Sequence, residues 1–157
     1  MILEVRKTIE LKAAPERVWR ALTDPDELAR WFPDEGADFE AEAGHRGFFV
    51  WASRADQGDG CGGGSFALRV EQVEPPHLLV WSWTREANTP FDQAATTRVE
   101  WRLTPRAGGG TTLVLRETGF ERLRDREVND GGWDAELGEL VAYVDGAAVL
   151  SAAALGG

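Results

Sequence analysis

Residues Leu3 to Leu11 alternate, with Leu3, Val5, Ile9 and Leu11 set against Glu4, Arg6, Thr8 and Glu10. A period of two marks a strand with one wet face. Lys7 alone interrupts the apolar row, which puts it near an end or a rim. After Ala14-Pro15 the period lengthens. Proline opens a helix because its fixed φ suits the first turn, and Val18, Trp19 and Leu22 supply the apolar side. Thr23-Asp24-Pro25 ends that helix and starts another, with Leu28, Trp31 and Phe32 at i, i+3 and i+4, and Pro33 stops it. Two short helices directly after the first strand exclude a plain β-sandwich.

From Gly36 to Phe120 the pattern is strands and turns. Ala37 to Glu42 and Arg46 to Ala52 are expected to form a hairpin about Ala43-Gly44-His45, and the glycine run Gly58 to Gly64 a long turn. Phe66, Leu68 and Val70 alternate with Ala67, Arg69 and Glu71, and Glu74-Pro75-Pro76 closes that strand. Leu78 to Trp83 is apolar almost throughout, as in a strand covered on both faces. Val99, Trp101 and Leu103 against Arg98, Glu100 and Arg102 make the cleanest half-buried strand. Gly108 to Gly110 turn the chain into Thr111 to Glu117, where Leu113 and Leu115 face one way.

The last long segment returns to helical spacing, with Trp133, Leu137, Leu140, Val141 and Val144 on one stripe and Asp134, Glu136 and Glu139 on the other side. It starts at a cap on Asn129 or Asp130, or near Asp125 with Gly131 and Gly132 inside; the longer helix, ending near Asp145-Gly146, is favoured. Each interior glycine costs about 1 kcal/mol relative to Ala, and close approach of a neighbouring element is the expected compensation. About 20 residues rising about 1.5 Å each can cross a whole small sheet. The elements add up to an α+β helix-grip fold: about seven antiparallel strands wrapped around a long C-terminal helix, with two short helices after the first strand. It forms a single domain over residues 1–157, with residues 146–157 as a tail that continues the helix or docks on a second subunit.

Composition narrows the partners. A net charge of −10 without Lys/Arg clusters argues against nucleic acid and anionic membrane surfaces. No apolar run is long enough for a span or a signal sequence, and the single Cys61 has no partner for an internal disulfide, so a cytoplasmic protein is expected. The glycine run lacks the Gly-Lys-Ser/Thr ending of a phosphate loop. His45 and His77 have no carboxylate or thiol at ligand spacing, and no serine sits in a nucleophile-elbow context. Neither a metal nor another cofactor is expected.

Pro15-Glu-Arg-Val-Trp-Arg-Ala-Leu-Thr-Asp-Pro-Asp-Glu-Leu-Ala-Arg-Trp-Phe32 resembles the signature of the SRPBCC (START-like, Bet v 1-like) superfamily, in the branch named for the activator of the 90-kDa heat-shock protein ATPase. Glu74 to Trp83, Gly109 to Phe120 and Gly132-Trp133 before Leu137 and Leu140 agree in order. The resemblance implies a cavity between sheet and long helix that binds an apolar or aromatic small molecule. Its lining would draw on Trp31, Phe32, Phe48, Trp51, Phe66, Leu68, Trp101, Glu117, Phe120, Trp133 and Leu137. Glu117, Arg102 and His45 are the polar groups that either face in or stand in solvent. One alternative is a polyketide cyclase or aromatase-like enzyme with a buried Glu or His as general acid/base. A further one is a co-chaperone-like protein of the stress response. The eukaryotic activators carry an N-terminal domain before this one, whereas this sequence opens at the first strand.

Overall fold

The computed structural model describes residues 3–33, 35–52 and 63–146. Of the expected glycine turn, Gly58, Gly60, Cys61 and Gly62 lie outside the described residues, as does the tail beyond Gly146. β1 (Glu4–Leu11) leads into α1 (Pro15–Thr23) and α2 (Pro25–Trp31). Pro15 stands in the first turn of α1, and the Asp24 carboxylate caps α2 by accepting from the backbone N–H groups of Asp26 and Glu27. Then come β2 (Gly36–Asp38), β3 (Arg46–Trp51), β4 (Gly64–Glu74), β5 (Leu78–Thr84), β6 (Thr96–Pro105) and β7 (Thr111–Thr118), followed by α3 (Leu123–Val144). The seven strands form one antiparallel sheet in the order β1-β7-β6-β5-β4-β3-β2. β2 to β7 are thus a meander, and β1 returns to pair with β7. This is the helix-grip arrangement.

The expected first hairpin is shorter than its sequence suggested. β2 holds three residues, and Phe39 turns into the core at 2% exposure instead of extending the strand to Glu42. The register of β4 against β5 shifts between Val70 and Gln72, a bulge that adds twist where the sheet curls. In β5, every residue except Ser82 is buried, as its central place requires.

α3 crosses the inner face of the sheet and is strapped to β1 at both ends. Arg126 Nε donates to the Glu4 carbonyl at 2.9 Å, and Asp145 accepts from the backbone N–H groups of Lys12 at 2.7 Å and Ala13 at 3.1 Å. Lys7 interrupts the apolar row of β1 because its ammonium bonds Asp130 and Asp134 on α3. At the other flank Glu27 of α2 accepts from Arg17 and Arg20 of α1 and from the Tyr143 hydroxyl of α3. Burial disfavours that charge, but the three donors outweigh it and hold the Glu27 carboxyl below its usual range.

Gly131 and Gly132 do lie inside α3, yet no neighbouring element approaches them: a Cβ at Gly131, Gly132 or Gly138 would meet no atom within 4 Å beyond the adjoining backbone of the helix itself. Their helix cost is therefore uncompensated by packing. Gly131→Ala and Gly138→Ala are each expected to raise stability by about 1 kcal/mol, partly by restricting the unfolded chain. Urea unfolding measures it. A loss at either position would reveal a contact these backbone positions do not show.

Candidate functional site

Alternation decides which side chains meet α3. On β5 the inner face carries Leu79, Trp81 and Trp83, on β6 Thr97, Val99 and Trp101, and on β7 Leu113, Leu115 and Glu117, all of them buried. β3 and β4 add Phe49, Trp51, Phe66 and Leu68, α2 adds Trp31 and Phe32, and α3 adds Trp133, Leu137 and Leu140. Most of the aromatic rings of the chain stand in this one layer.

Phe32 is at its centre. The ring lies 5.0 to 6.1 Å, centroid to centroid, from those of Trp31, Phe49, Trp51, Trp81, Trp83 and Trp133. It is nearly parallel to Trp83 and Trp133 and edge-on to Phe49 and Trp51, the two geometries the ring quadrupole favours. Phe32 follows the last turn of α2, and its carbonyl accepts from Trp51 Nε1 at 3.0 Å. The space beneath α3 is thus occupied at its middle by a side chain from a helix end.

Glu117 is the polar group of the layer. It is fully buried and accepts four hydrogen bonds: Trp83 Nε1 (2.8 Å) and Thr97 Oγ1 (2.5 Å) on Oε2, and Trp133 Nε1 (2.7 Å) and Asn129 Nδ2 (2.9 Å) on Oε1. All four donors are neutral. The carboxylate thereby fixes two of the stacked rings and ties β5, β6 and α3 to β7. By contrast, the buried Nε1 groups of Trp81 and Trp101 have no hydrogen-bond partner among the described residues.

Of the residues expected to line a cavity, Trp31, Phe32, Leu68, Trp101, Glu117, Phe120, Trp133 and Leu137 are buried, and Trp51 and Phe66 are half-buried. The structure brings Trp31, Phe32, Trp51, Phe66, Trp101 and Trp133 into one network of ring contacts. Leu137 also borders an open groove of about 360 Å³ between β1 and α3, with Ile9, Gly138 and Val141.

Phe48 must be corrected. It is 41% exposed on the outer face, and Phe49 takes the inner place. Phe48 and Trp51 are three residues apart, so in a regular strand they cannot share a face. Arg102 also points outward, donating to Glu100 at 2.8 Å. His45 sits at the turn before β3 against Asp38 (3.1 Å) and Glu40 (3.3 Å), carboxylates that the turn, not sequence spacing, brings to it. Residues missed from the sequence include Phe39, Phe49, Trp81, Trp83, Thr97 and Asn129. The parity of Phe49 with Trp51 carried the signal for one of them, and the period of two sets Trp81 and Trp83 on the same face as each other.

Among the described residues no group of three His, Cys, Asp or Glu could hold a metal ion, and no helix is long and apolar enough to cross a membrane.

The model of the family described as Activator of Hsp90 ATPase homolog 1-like protein matches residues 12–145. Protein MLL2253 from Mesorhizobium loti is 29% identical, with a TM-score of 0.70 over 90% of this chain and 96% of that one. DynU16, a protein of the dynemicin biosynthetic locus, is 26% identical with a TM-score of 0.71, over 91% of this chain but only 47% of its own. The Aha1 dimer from Colwellia psychrerythraea has the same fold, with a TM-score of 0.68 at 21% identity over 91% of this chain and 97% of that one. Among curated proteins, none matches.

Proposed function

The chain belongs to the family of Activator of Hsp90 ATPase homolog 1-like proteins, within the SRPBCC superfamily, and from that premise we propose that it binds an apolar or aromatic small molecule between the curved sheet and α3. The observation that carries the reading is Glu117, a buried carboxylate held by neutral donors alone inside a layer of aromatic rings. A core that only had to be stable would fill that place with a leucine, since an isolated buried charge is costly and replacing it by an apolar side chain is often neutral or stabilising. Small-molecule sites combine apolar walls with a few fixed polar groups, and the inner face has that composition. That one relative comes from a biosynthetic locus fits a small organic partner.

The cyclase or aromatase-like alternative would give Glu117 the role of general acid or base. Two donors already occupy each of its oxygens, which suits a group that orients rings better than one that exchanges protons with a substrate. Binding without catalysis is therefore the preferred reading.

The test is a titration with N-phenyl-1-naphthylamine, an uncharged dye, following energy transfer from the tryptophans. Saturable binding of one dye per chain, weakened by Trp51→Ala at the half-buried rim of the layer, is expected. Emission that rises linearly with dye and ignores the substitution would end this reading.

A further inference from the structure

The inner row of β5 does not stop at Trp83. Arg85 follows at the same parity, and its backbone N–H still bonds the Ala95 carbonyl at 2.9 Å, so the pairing with the approach to β6 continues through it. The side chain is only 17% exposed, and its guanidinium lies 5.2 Å above the Phe120 ring. Its Nε is buried and has no hydrogen-bond partner among the described residues. Among the described residues its ion-pair partner is Asp125 in the first turn of α3, which comes no closer than 3.9 Å, beyond hydrogen-bond reach, and that carboxylate is already bonded to Arg122 Nε at 3.1 Å.

This is an unusual state for an arginine. The guanidinium keeps its charge at any physiological pH, and burying one of its donors unused is unfavourable unless something accepts from the group. Other arginines of this chain reach carboxylates at hydrogen-bond distance: Arg17 and Arg20 on Glu27, Arg46 on Asp92, Arg69 on Glu71 and Arg102 on Glu100. Arg85 is set aside from that pattern at the rim of the aromatic layer. Trp83, two residues before it, and Asn129, one turn after Asp125, both bond Glu117.

We propose that Arg85 is the anchor for the acid group of the ligand, which is then an aromatic or apolar carboxylate and not a neutral hydrocarbon. The proposal rests on the small-molecule reading above and gives it a chemical class and an orientation. Glu117 repels an anion from the interior while Arg85 attracts one at the rim, so the ligand enters apolar end first and keeps its carboxylate under the first turn of α3. That turn has no side-chain cap, and its N–H groups add positive potential on the same side. A planar carboxylate also matches the fork of the guanidinium.

The test compares 2-naphthoate with its uncharged methyl ester by tryptophan quenching. Wild type is expected to prefer the acid by about tenfold, the worth of one charge-assisted hydrogen-bonded contact. Arg85→Met should lose that preference while holding the ester as well as wild type does. Asp125→Asn, which removes the competing carboxylate, should bind the acid more tightly. Circular dichroism checks that both variants fold. If wild type binds both probes equally, or Arg85→Met keeps the preference, the anchor is refuted and the small-molecule site stands. If neither probe binds wild type, both readings fall together.

Discussion

Replacing Glu117 by glutamine, a change of one atom, is expected to cost about 2 kcal/mol in urea unfolding, and replacing it by alanine about 5 kcal/mol. A carboxylate can accept on both oxygens, whereas an amide accepts on one and donates from the other. If the new amide nitrogen faces Thr97 and Trp83, the Thr97 hydroxyl can rotate to accept, but the Trp83 indole N–H cannot reverse its role. If it faces the other way, Asn129 can flip and present its oxygen, but Trp133 cannot. One buried indole N–H is orphaned in either case. Alanine orphans both and leaves a void beneath α3. Because the two indoles take their orientation from this carboxylate, the near-ultraviolet circular dichroism should change with the stability. Wild-type stability in Glu117→Gln would mean that these indoles do not need the acceptor.

That carboxylate also marks the limit of what the sequence makes legible. The strands with one wet face, β1 and β6, are readable because polar and apolar residues alternate, and the long helix is readable from its stripe. Glu117 shares the parity of Leu113 and Leu115 and so belongs among the expected lining residues, but its residue type leaves open whether it faces in or stands in solvent. Glutamate is almost never fully buried without partners, and these partners come from β5, β6 and α3, far away in sequence. Phe48 and Phe49 fail for another reason: two adjacent phenylalanines give alternation no contrast, and the parity with Trp51 settles the face. The glycines of α3 look in sequence like sites of close packing, while the structure leaves open space beside them. Arg85 lies just past the apolar run Leu78 to Trp83, and the continued pairing with Ala95 shows that it belongs to the inner row.

Phe32 sets the second large effect. Its ring touches six others and is 4% exposed, so Phe32→Ala should cost about 4 kcal/mol, through lost burial and the cavity left behind. The neighbours are held from several sides. Trp83 and Trp133 are fixed by Glu117, Trp31 donates to the Ala21 carbonyl at 2.8 Å, and Trp81 lies in the central strand. Walls so anchored cannot collapse fully into the gap, and a dry aromatic void of that kind takes up small apolar molecules. Benzene or indole should therefore raise the melting temperature of Phe32→Ala in proportion to the logarithm of its concentration, and leave wild type nearly unmoved. The same variant tests where the ligand of the intact protein goes. If N-phenyl-1-naphthylamine must push the Phe32 ring aside to enter, removing the ring makes the seat in advance and the dye binds the variant more tightly than wild type. If Phe32 is instead a wall of the site, the variant binds the dye more weakly. A variant that neither gains stability from benzene nor changes its dye affinity would mean that the layer closes over the gap, and that ligand entry does not pass through the seat of Phe32.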